Sequence, residues 1–245
     1  MKADYYGDIN IGNVRSRNED RCVLKEVWEG SHLLAVAIDG VGGSVCGGDV
    51  AAEMAARCIE EHICGCMPTP NSLDVLHAAV VYANNEIYMQ RRGASTCVLT
   101  AALINLESGI MSVCHVGDTR LYELSGGTLK KHTSDHSWIA HKEESGEYTE
   151  EQAMKHPQRN VITRSVGKDI LHWGTEYIQT HTIQLEPCTL LLCSDGLYDM
   201  VHSQITTQIL SEQTPVEERV DKLIDAALDA GGKDNITVIV IDLIK

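Results

Sequence analysis

Four short, mostly apolar runs in this chain end or begin at an aspartate, and this arrangement limits the folds that the chain can adopt. Each run is too short for a typical helix and therefore predicts a buried β-strand. Because a strand held in a sheet projects its terminal side chains reproducibly, we expect the aspartates to gather at the strand ends. The runs are Leu33–Ile38 before Asp39-Gly40, Met111–Val116 before Gly117-Asp118, Leu190–Cys193 before Ser194-Asp195-Gly196, and Ile236–Ile241 after Asp234-Asn235.

Carboxylates gathered in this way offer hard oxygen ligands, which suit Mg²⁺ or Mn²⁺ and not zinc or copper. The chain is therefore interpreted as a metal-dependent enzyme, with phosphoryl hydrolysis as the expected chemistry. For one aspartate followed by glycine, a plain turn or cap would be the better interpretation. Four such sites in one chain favour the metal site.

The order of the other elements predicts an α+β fold. Further strands are predicted over Thr96–Leu106 and Arg120–Leu124, the latter forming a hairpin across Gly126-Gly127. Helical spacing covers Val50–Ile63, Leu73–Ile87, Gln204–Leu210 and Val216–Ala227, with Thr214 and Glu217 placed for a capping box. Helices grouped away from the strands argue against regular βαβ alternation. Two largely antiparallel sheets packed face to face, with helices outside, would bury all these faces.

Composition sets limits on the class of protein. With 245 residues and 43% apolar content, the chain is expected to form one domain over residues 1–245. The net charge of −15 argues against nucleic acid and against an anionic membrane surface as partners. No apolar stretch reaches the length of a membrane span, and Met1–Asn10 is too polar for a signal peptide, so we expect a cytoplasmic protein.

The nine cysteines predict reduced structural thiols, because several lie inside apolar runs. Cys64-Gly65-Cys66 lacks the spacing of redox and zinc motifs. The polar stretch Asp135–Arg159 leaves two interpretations open, a lid or substrate-contact flap and a plain surface excursion. Within it, Thr149 and Gln152 predict a capped helical turn that stops before Pro157.

Eight motifs, in this order, resemble those of the PPM group of metal-dependent Ser/Thr protein phosphatases, the protein phosphatase 2C family, in its compact bacterial form. Any one of them alone is weak evidence, whereas the ordered set covers almost the whole chain and is specific. The motifs are Val14–Asp20, Ile38–Gly43, Gly93–Thr96, Val116–Tyr122, Thr133–Ser137, Ile162–Gly167, Leu192–Asp199 and Gly232–Val238.

The resemblance implies a four-layer sandwich, with two mostly antiparallel sheets between helix pairs, and a site for two Mn²⁺ or Mg²⁺ ions. Residue by residue, it implies that Asp39 bridges both ions and that the Gly40 carbonyl binds one of them. It implies that Asp195 and Asp234 hold the other ion. The remaining implied metal residues are Glu19, Asp20, acting through an intervening water, and Asp118, at a third, weaker metal.

The resemblance also implies that Arg15 clamps the phosphate and that a metal-bridging hydroxide attacks it. A guanidinium can bind two phosphate oxygens in a fork, which lysine cannot copy. The alternative for Arg15 is a surface ion pair with Asp20 or Glu19. Two residues after Asp39, where many eukaryotic members carry a histidine as proton donor, this chain has Val41, so the general acid stays unassigned. His115 and His136 are interpreted as structural, and Ser44–Gly48 departs from the family pattern.

The leading hypothesis for function is hydrolysis of phosphoserine and phosphothreonine in proteins, reversing a Ser/Thr kinase. The expected partners are phosphorylated proteins, with the kinase and its targets, and the default oligomeric state is a monomer. The alternatives are a pseudophosphatase acting as a regulatory binding module, a phosphatase dedicated to one regulatory partner, and a hydrolase of small phosphate esters. The intact metal aspartates speak against the pseudophosphatase.

Overall fold

The computed structural model describes residues 1–42 and 47–245, and it builds them into two five-stranded sheets flanked by helices. The departure from the family pattern at Ser44–Gly48 lies largely outside the described residues. The strands are β1 Lys2–Asn10, β2 Arg21–Val27, β3 His32–Gly40, β4 Cys97–Asn105, β5 Ile110–Val116, β6 Arg120–Ser125, β7 Thr128–Lys131, β8 Gln179–Gln184, β9 Thr189–Cys193 and β10 Ile236–Ile244. The helices are α1 Gly48–Gly65, α2 Ser72–Arg91, α3 Trp138–Glu144, α4 Glu150–Met154, α5 Ile170–Trp173, α6 Asp195–Tyr198, α7 Ser203–Leu210 and α8 Val216–Asp229.

Every strand pairing described in the two sheets is antiparallel. The first sheet has the order β1-β10-β9-β6-β7 and the second has the order β2-β3-β4-β5-β8. In the second sheet, Asp39 lies opposite Val98 and Gly40 lies opposite Cys97. The end of β3 is thus held by β4, and the direction of the Asp39 side chain is set by the sheet.

The two sheets pack face to face, and helices cover their outer faces. Leu33, Ala35 and Ala37 of β3 lie in the core between the sheets. The intervening residues of the same strand pack with α1 and α2 in a second core. A third core lies between the first sheet and α7 and α8. An apolar run buried on both faces explains why β3 carries no polar alternation. The α+β fold with four layers is confirmed.

The predicted strands are confirmed, whereas β1, β2 and β8 were not predicted. β8 has alternately half-buried and exposed residues, and β1 is mostly half-exposed. All three lie at the edge of a sheet, where one face and one side of the strand are wet. Their polar composition therefore hides them from a search for apolar runs.

The predicted helices are also confirmed, and α4 begins with the expected capping box of Thr149 and Gln152. The capping box predicted for Thr214 and Glu217 is wrong. Pro215 is the N-cap of α8 without a side-chain cap, and the buried Thr214 hydroxyl has no hydrogen-bond partner among the described residues. Within the described ranges, no helix combines the length and apolar character that crossing a membrane requires.

Candidate active site

A cavity of about 230 Å³ opens where strand ends of both sheets meet. Seven of the eight residues named from the sequence line it, and Asp20 lies behind its wall. Asp39 ends β3, Asp195 starts α6 directly after β9, and Asp234 precedes β10. The lining residues named from the sequence are Arg15, Glu19, Asp39, Gly40, Asp118, Asp195 and Asp234.

Gly40 is required to be a glycine because two backbone segments cross close beside it. A Cβ atom at Gly40 would lie 2.4 Å from the Gly48 carbonyl carbon and 2.7 Å from the Glu19 backbone oxygen. Both distances are below any real carbon contact, and both neighbours are backbone. The end of β3 and the start of α1 can therefore approach one another only through paired glycines.

Asn235 fixes the loop that carries Arg15 and Glu19, and sequence reasoning missed this role. Its Nδ2 donates to the backbone oxygens of Ile11 and Arg17, each at 2.9 Å. Its Oδ1 accepts the backbone N–H of Glu19 at 2.8 Å. The Glu19 carboxylate in turn accepts the N–H of Gly48 at 2.6 Å. The only signal in the sequence was the position of Asn235 directly after Asp234.

Asp20 is buried behind the cavity wall and is held by two hydroxyl groups. Ser194 donates to its Oδ2 at 2.8 Å and Thr237 donates to the same oxygen at 2.7 Å. Burial raises the pKa of Asp20 to about 7, despite these two hydrogen bonds. Ser194 and Thr237 were also missed, although each follows or precedes a predicted site aspartate closely in the sequence.

The cavity aspartates hold their protons more tightly than free carboxyls do. Burial raises the pKa of Asp39 and of Asp118, and neighbouring carboxylates add to the effect. Burial, then the charge of Asp234, raises the pKa of Asp195 to about 6. The Oδ1 atom of Asp195 is buried without a hydrogen-bond partner in the described part of the chain. These are the marks of an anionic cluster that lacks enough positive charge.

Arg15 lies at the rim of this cavity and pairs with one of the predicted metal residues. Its Nη2 atom lies 2.6 Å from Asp234 Oδ2, and 41% of its side chain is exposed. The ion pair with Asp20 or Glu19 that was the alternative is not formed. The neighbouring Arg17 contributes its backbone oxygen to Asn235 and does not line the cavity.

The donor set fits divalent metal ions. The cavity walls carry five carboxylates, from Glu19, Asp39, Asp118, Asp195 and Asp234, against one guanidinium. Carboxylate oxygens are the ligands that Mg²⁺ and Mn²⁺ prefer, and the unpartnered Asp195 Oδ1 has unused capacity for a cation. In the described ranges, no three His, Cys, Asp or Glu side chains stand close enough to enclose one ion. Metal binding would therefore require side-chain rotations, including release of Asp234 from Arg15.

The polar insert Asp135–Arg159 is packed rather than loose, and the described residues that line the cavity here come directly after its end. Asn160 and Ile162 line the cavity, and Ile162 bridges to Ser137. Glu150 accepts hydrogen bonds from the backbone and hydroxyl of Ser203, at 2.9 and 2.7 Å. The two interpretations left open by the sequence, a lid or substrate-contact flap and a plain surface excursion, therefore both stay predictions.

The two histidines near the site are structural, as expected. His115 is buried, with Nδ1 2.9 Å from Thr100 Oγ1, and burial lowers its pKa to about 4. His136 Nδ1 accepts the N–H of Gly117 at 3.0 Å, and burial lowers its pKa to about 3. No histidine lines the cavity among the residues described.

A second charged cluster, here named the Arg120 cluster, adjoins the cavity and consists of Arg120, Asp135, Tyr122 and Tyr198. The Arg120 guanidinium lies 2.6 Å from Asp135 and 3.0 Å from the Tyr122 hydroxyl, and stacks 3.5 Å from the Tyr198 ring centre. Although burial alone would raise the pKa of Asp135, Arg120 and Lys131 hold it below its usual value. The Tyr198 hydroxyl donates to the Asp118 backbone oxygen at 2.9 Å, which connects the two clusters.

Comparisons with known proteins agree with this geometry. Residues 13–233 match the family model described as Protein phosphatase 2C. The chain is 32% identical over 254 residues to the serine/threonine phosphatase stp of Listeria welshimeri, covering 99% of this chain and 96% of the relative. It is 35% identical over 249 residues to the serine/threonine protein phosphatase PstP of Mycobacterium tuberculosis, covering 98% of this chain and 45% of the relative.

Solved structures give the same result. Serine/threonine phosphatase Stp1 from Staphylococcus aureus superposes with a TM-score of 0.89 at 25% identity, covering 100% of this chain and 96% of that one. The catalytic domain of PstP in complex with two manganese ions superposes with a TM-score of 0.84 at 27% identity, covering 99% of both chains. From the match over residues 13–233 and these similarities, the chain belongs to the protein phosphatase 2C family.

Proposed function

We propose that this protein hydrolyses phosphoserine and phosphothreonine in proteins and so reverses the action of a Ser/Thr kinase. The observation that carries the proposal is the cavity in which five carboxylates face one arginine at the rim. The relatives are Ser/Thr phosphatases, which supports the same activity and does not favour a regulatory binding module or a hydrolase of small phosphate esters.

We assign the metal residues as the resemblance implies. Asp39 would bridge two ions, with the Gly40 carbonyl on one ion and Asp195 and Asp234 on the other. Glu19 and Asp20 would support the site, Asp20 from behind the wall, and Asp118 would serve a third, weaker position. When bound, divalent ions supply Lewis-acid charge that activates water near neutral pH and neutralises charge on the phosphoryl oxygens.

Arg15 would bind the phosphate group of the substrate. Its present partner, Asp234, is one of the proposed metal residues, so metal binding and release of Arg15 would occur together. The freed guanidinium can then hold two phosphate oxygens in a fork and orient the phosphorus atom for in-line attack. Its exposure at the rim leaves it free to turn toward an incoming phosphoprotein.

The serine or threonine oxygen that leaves must gain a proton, and we assign no side chain to that step. Val41 occupies the position where an imidazole would be expected, and the lining of the described cavity contains no histidine. Water bound in the cavity could supply this proton.

Several finer assignments belong to the proposal. Either Mn²⁺ or Mg²⁺ fits the oxygen ligands, and the manganese complex of PstP supports the former. We place the protein in the cytoplasm of a bacterium, as a monomer and as one phosphatase domain over residues 1–245. The bacterial origin of the relatives supports the bacterial source, and the face-to-face packing of the two sheets supports the single domain, whereas the monomer is the default.

Release of phosphate from a phosphothreonine peptide tests the proposal. We expect activity with Mn²⁺ or Mg²⁺, loss of activity in excess EDTA, and loss in Asp39→Asn. Turnover of para-nitrophenyl phosphate by the same preparations separates a protein phosphatase, for which the peptide is the better substrate, from a hydrolase of small esters. A folded protein that is inactive with every metal would contradict the proposal and support the binding module.

A further inference from the structure

A second, smaller cleft lies beside the catalytic cavity, and we name it the flank cleft. It holds about 10 Å³, enough for one water-sized group such as a carboxylate oxygen. The flank cleft therefore accepts the end of a side chain and not a whole residue. Its lining residues are Thr163, Arg164, Ser165, Lys168, Trp173 and Tyr177.

The flank cleft is one short step along the chain from the catalytic cavity. Ile162 lines the cavity and Thr163 lines the flank cleft. The Cα atoms of Ile162 and Arg164 are at most about 7 Å apart, because two residues span no more. The segment is held at both ends, since Ile162 bridges to Ser137 and Val166 bridges to Cys97. A peptide that ran from the cavity along this segment would therefore reach the flank cleft two or three residues from its phosphorylated residue.

The flank cleft is positively charged in an otherwise acidic chain of net charge −15. Neither Arg164 nor Lys168 forms an ion pair with a carboxylate of the described residues. Arg164 donates to the backbone oxygen of Tyr177 at 3.2 Å, which leaves its charge uncompensated. The nearest carboxylate in sequence, Asp169, keeps its negative charge but is directed toward the Tyr88 hydroxyl at 3.0 Å and the Leu171 N–H at 3.0 Å, and it forms no ion pair with Lys168.

Two further features suit an incoming carboxylate on an extended peptide. The Tyr177 hydroxyl is buried without a hydrogen-bond partner in the described ranges, so it can donate to an acceptor that enters the flank cleft. Trp173 lines the flank cleft and is 51% exposed, so its ring offers an apolar rim against which the peptide can pack.

We propose that the flank cleft binds an acidic side chain located two or three residues from the phosphorylated residue of the substrate. This proposal rests on the proposed phosphatase function and specifies its substrate class. Lys168 and Arg164 supply the charge, Tyr177 supplies a hydrogen bond and Trp173 covers the bound chain. The protein would thus select phosphoproteins with acidic sequence beside the phosphate.

The test uses two phosphothreonine peptides that differ only in Glu or Gln at the second and third positions on either side. For the full chain with Mn²⁺ we expect kcat/KM to be about five- to tenfold higher for the Glu peptide, the scale of a charge-assisted hydrogen bond screened by solvent. In Lys168→Glu the ratio between the peptides should fall to one or invert, and in Lys168→Gln it should fall partway.

The matched control is Lys130→Glu on β7, which makes the same charge change at an exposed lysine without an ion pair in the described residues. It should keep the wild-type ratio, which excludes a general effect of net charge. Equal hydrolysis of the two peptides by the wild type, or an unchanged ratio in Lys168→Glu, would overturn only the proposal that the flank cleft binds an acidic side chain. Failure to hydrolyse either peptide would overturn the proposed function itself.

Discussion

The catalytic cavity and the Arg120 cluster are neighbouring groups of buried charges with opposite balance. In the cavity, five carboxylates face one guanidinium, and the pKa values of Asp39, Asp118 and Asp195 are raised. In the Arg120 cluster, the charge on Asp135 is compensated and its pKa is lowered. A cluster whose charges compensate one another stabilises the fold. A cluster with excess negative charge requires a cation from solution.

The largest effect is expected from removing a charge in the unbalanced cluster. Asp39→Asn should lower kcat with Mn²⁺ by about 10³-fold or more, because metal charge stabilisation is worth several kcal/mol. Its unfolding free energy without metal should stay the same or rise, since a repelling carboxylate is removed. Phosphate-release kinetics and urea unfolding measure the two effects. A large loss of stability would show that Asp39 supports the fold instead.

Breaking the Arg120 cluster should instead lower the stability of the fold. Arg120→Met leaves the buried Asp135 with Lys131, at 3.3 Å, in place of its guanidinium partner, and should cost about 3 kcal/mol in the free energy of urea unfolding. The control is Lys155→Met, which removes an exposed ion pair with Glu151 and should leave unfolding unchanged. Stability near that of the wild type in Arg120→Met would show that the Arg120 cluster does not stabilise the fold.

A smaller effect is expected at Arg15, the cation among the described residues that line the cavity. Arg15→Lys retains the charge but loses the fork, and kcat/KM for a phosphopeptide should fall about 10- to 100-fold, the equivalent of one charge-assisted hydrogen bond. Arg17→Lys is the matched control, because Arg17 contributes only its backbone oxygen. An equal loss of kcat/KM in both variants would show that Arg15 does not bind the phosphate group.

The smallest effect is a change in pH dependence. A carboxyl whose folded pKa is raised stabilises the protein below its unfolded pKa near 3.8 and loses that contribution as pH rises through about 6 for Asp195. Without metal, the stability of Asp195→Asn relative to wild type should therefore increase between pH 4 and 7. The difference between variants is needed because buried His115 and His136 act in the opposite direction. A stability difference that does not change with pH would show that the pKa of Asp195 is not raised in the folded protein.

The sequence predicted the contents of the cavity better than the connections around it. Asp39, Asp195 and Asp234 were predictable because each adjoins an apolar run that forms a strand. The Arg15 pair with Asp234 spans 219 residues, and the bond of Asn235 to Arg17 spans 218, and no local pattern encodes such contacts. The need for glycine at position 40 was equally hidden, because it arises from the backbone of Gly48, which crosses beside it.

Calorimetric titration of Mn²⁺ into the metal-free full chain and into Asp39→Asn shows whether the carboxylates of the cavity bind metal. We expect binding to the wild type with release of protons, detected as heats that vary with the buffer, because carboxyls with raised pKa values must lose their protons to bind the ion. For Asp39→Asn we expect weaker binding and fewer released protons. Absence of Mn²⁺ binding to the folded wild type, or identical titrations of the two proteins, would contradict the proposed metal site.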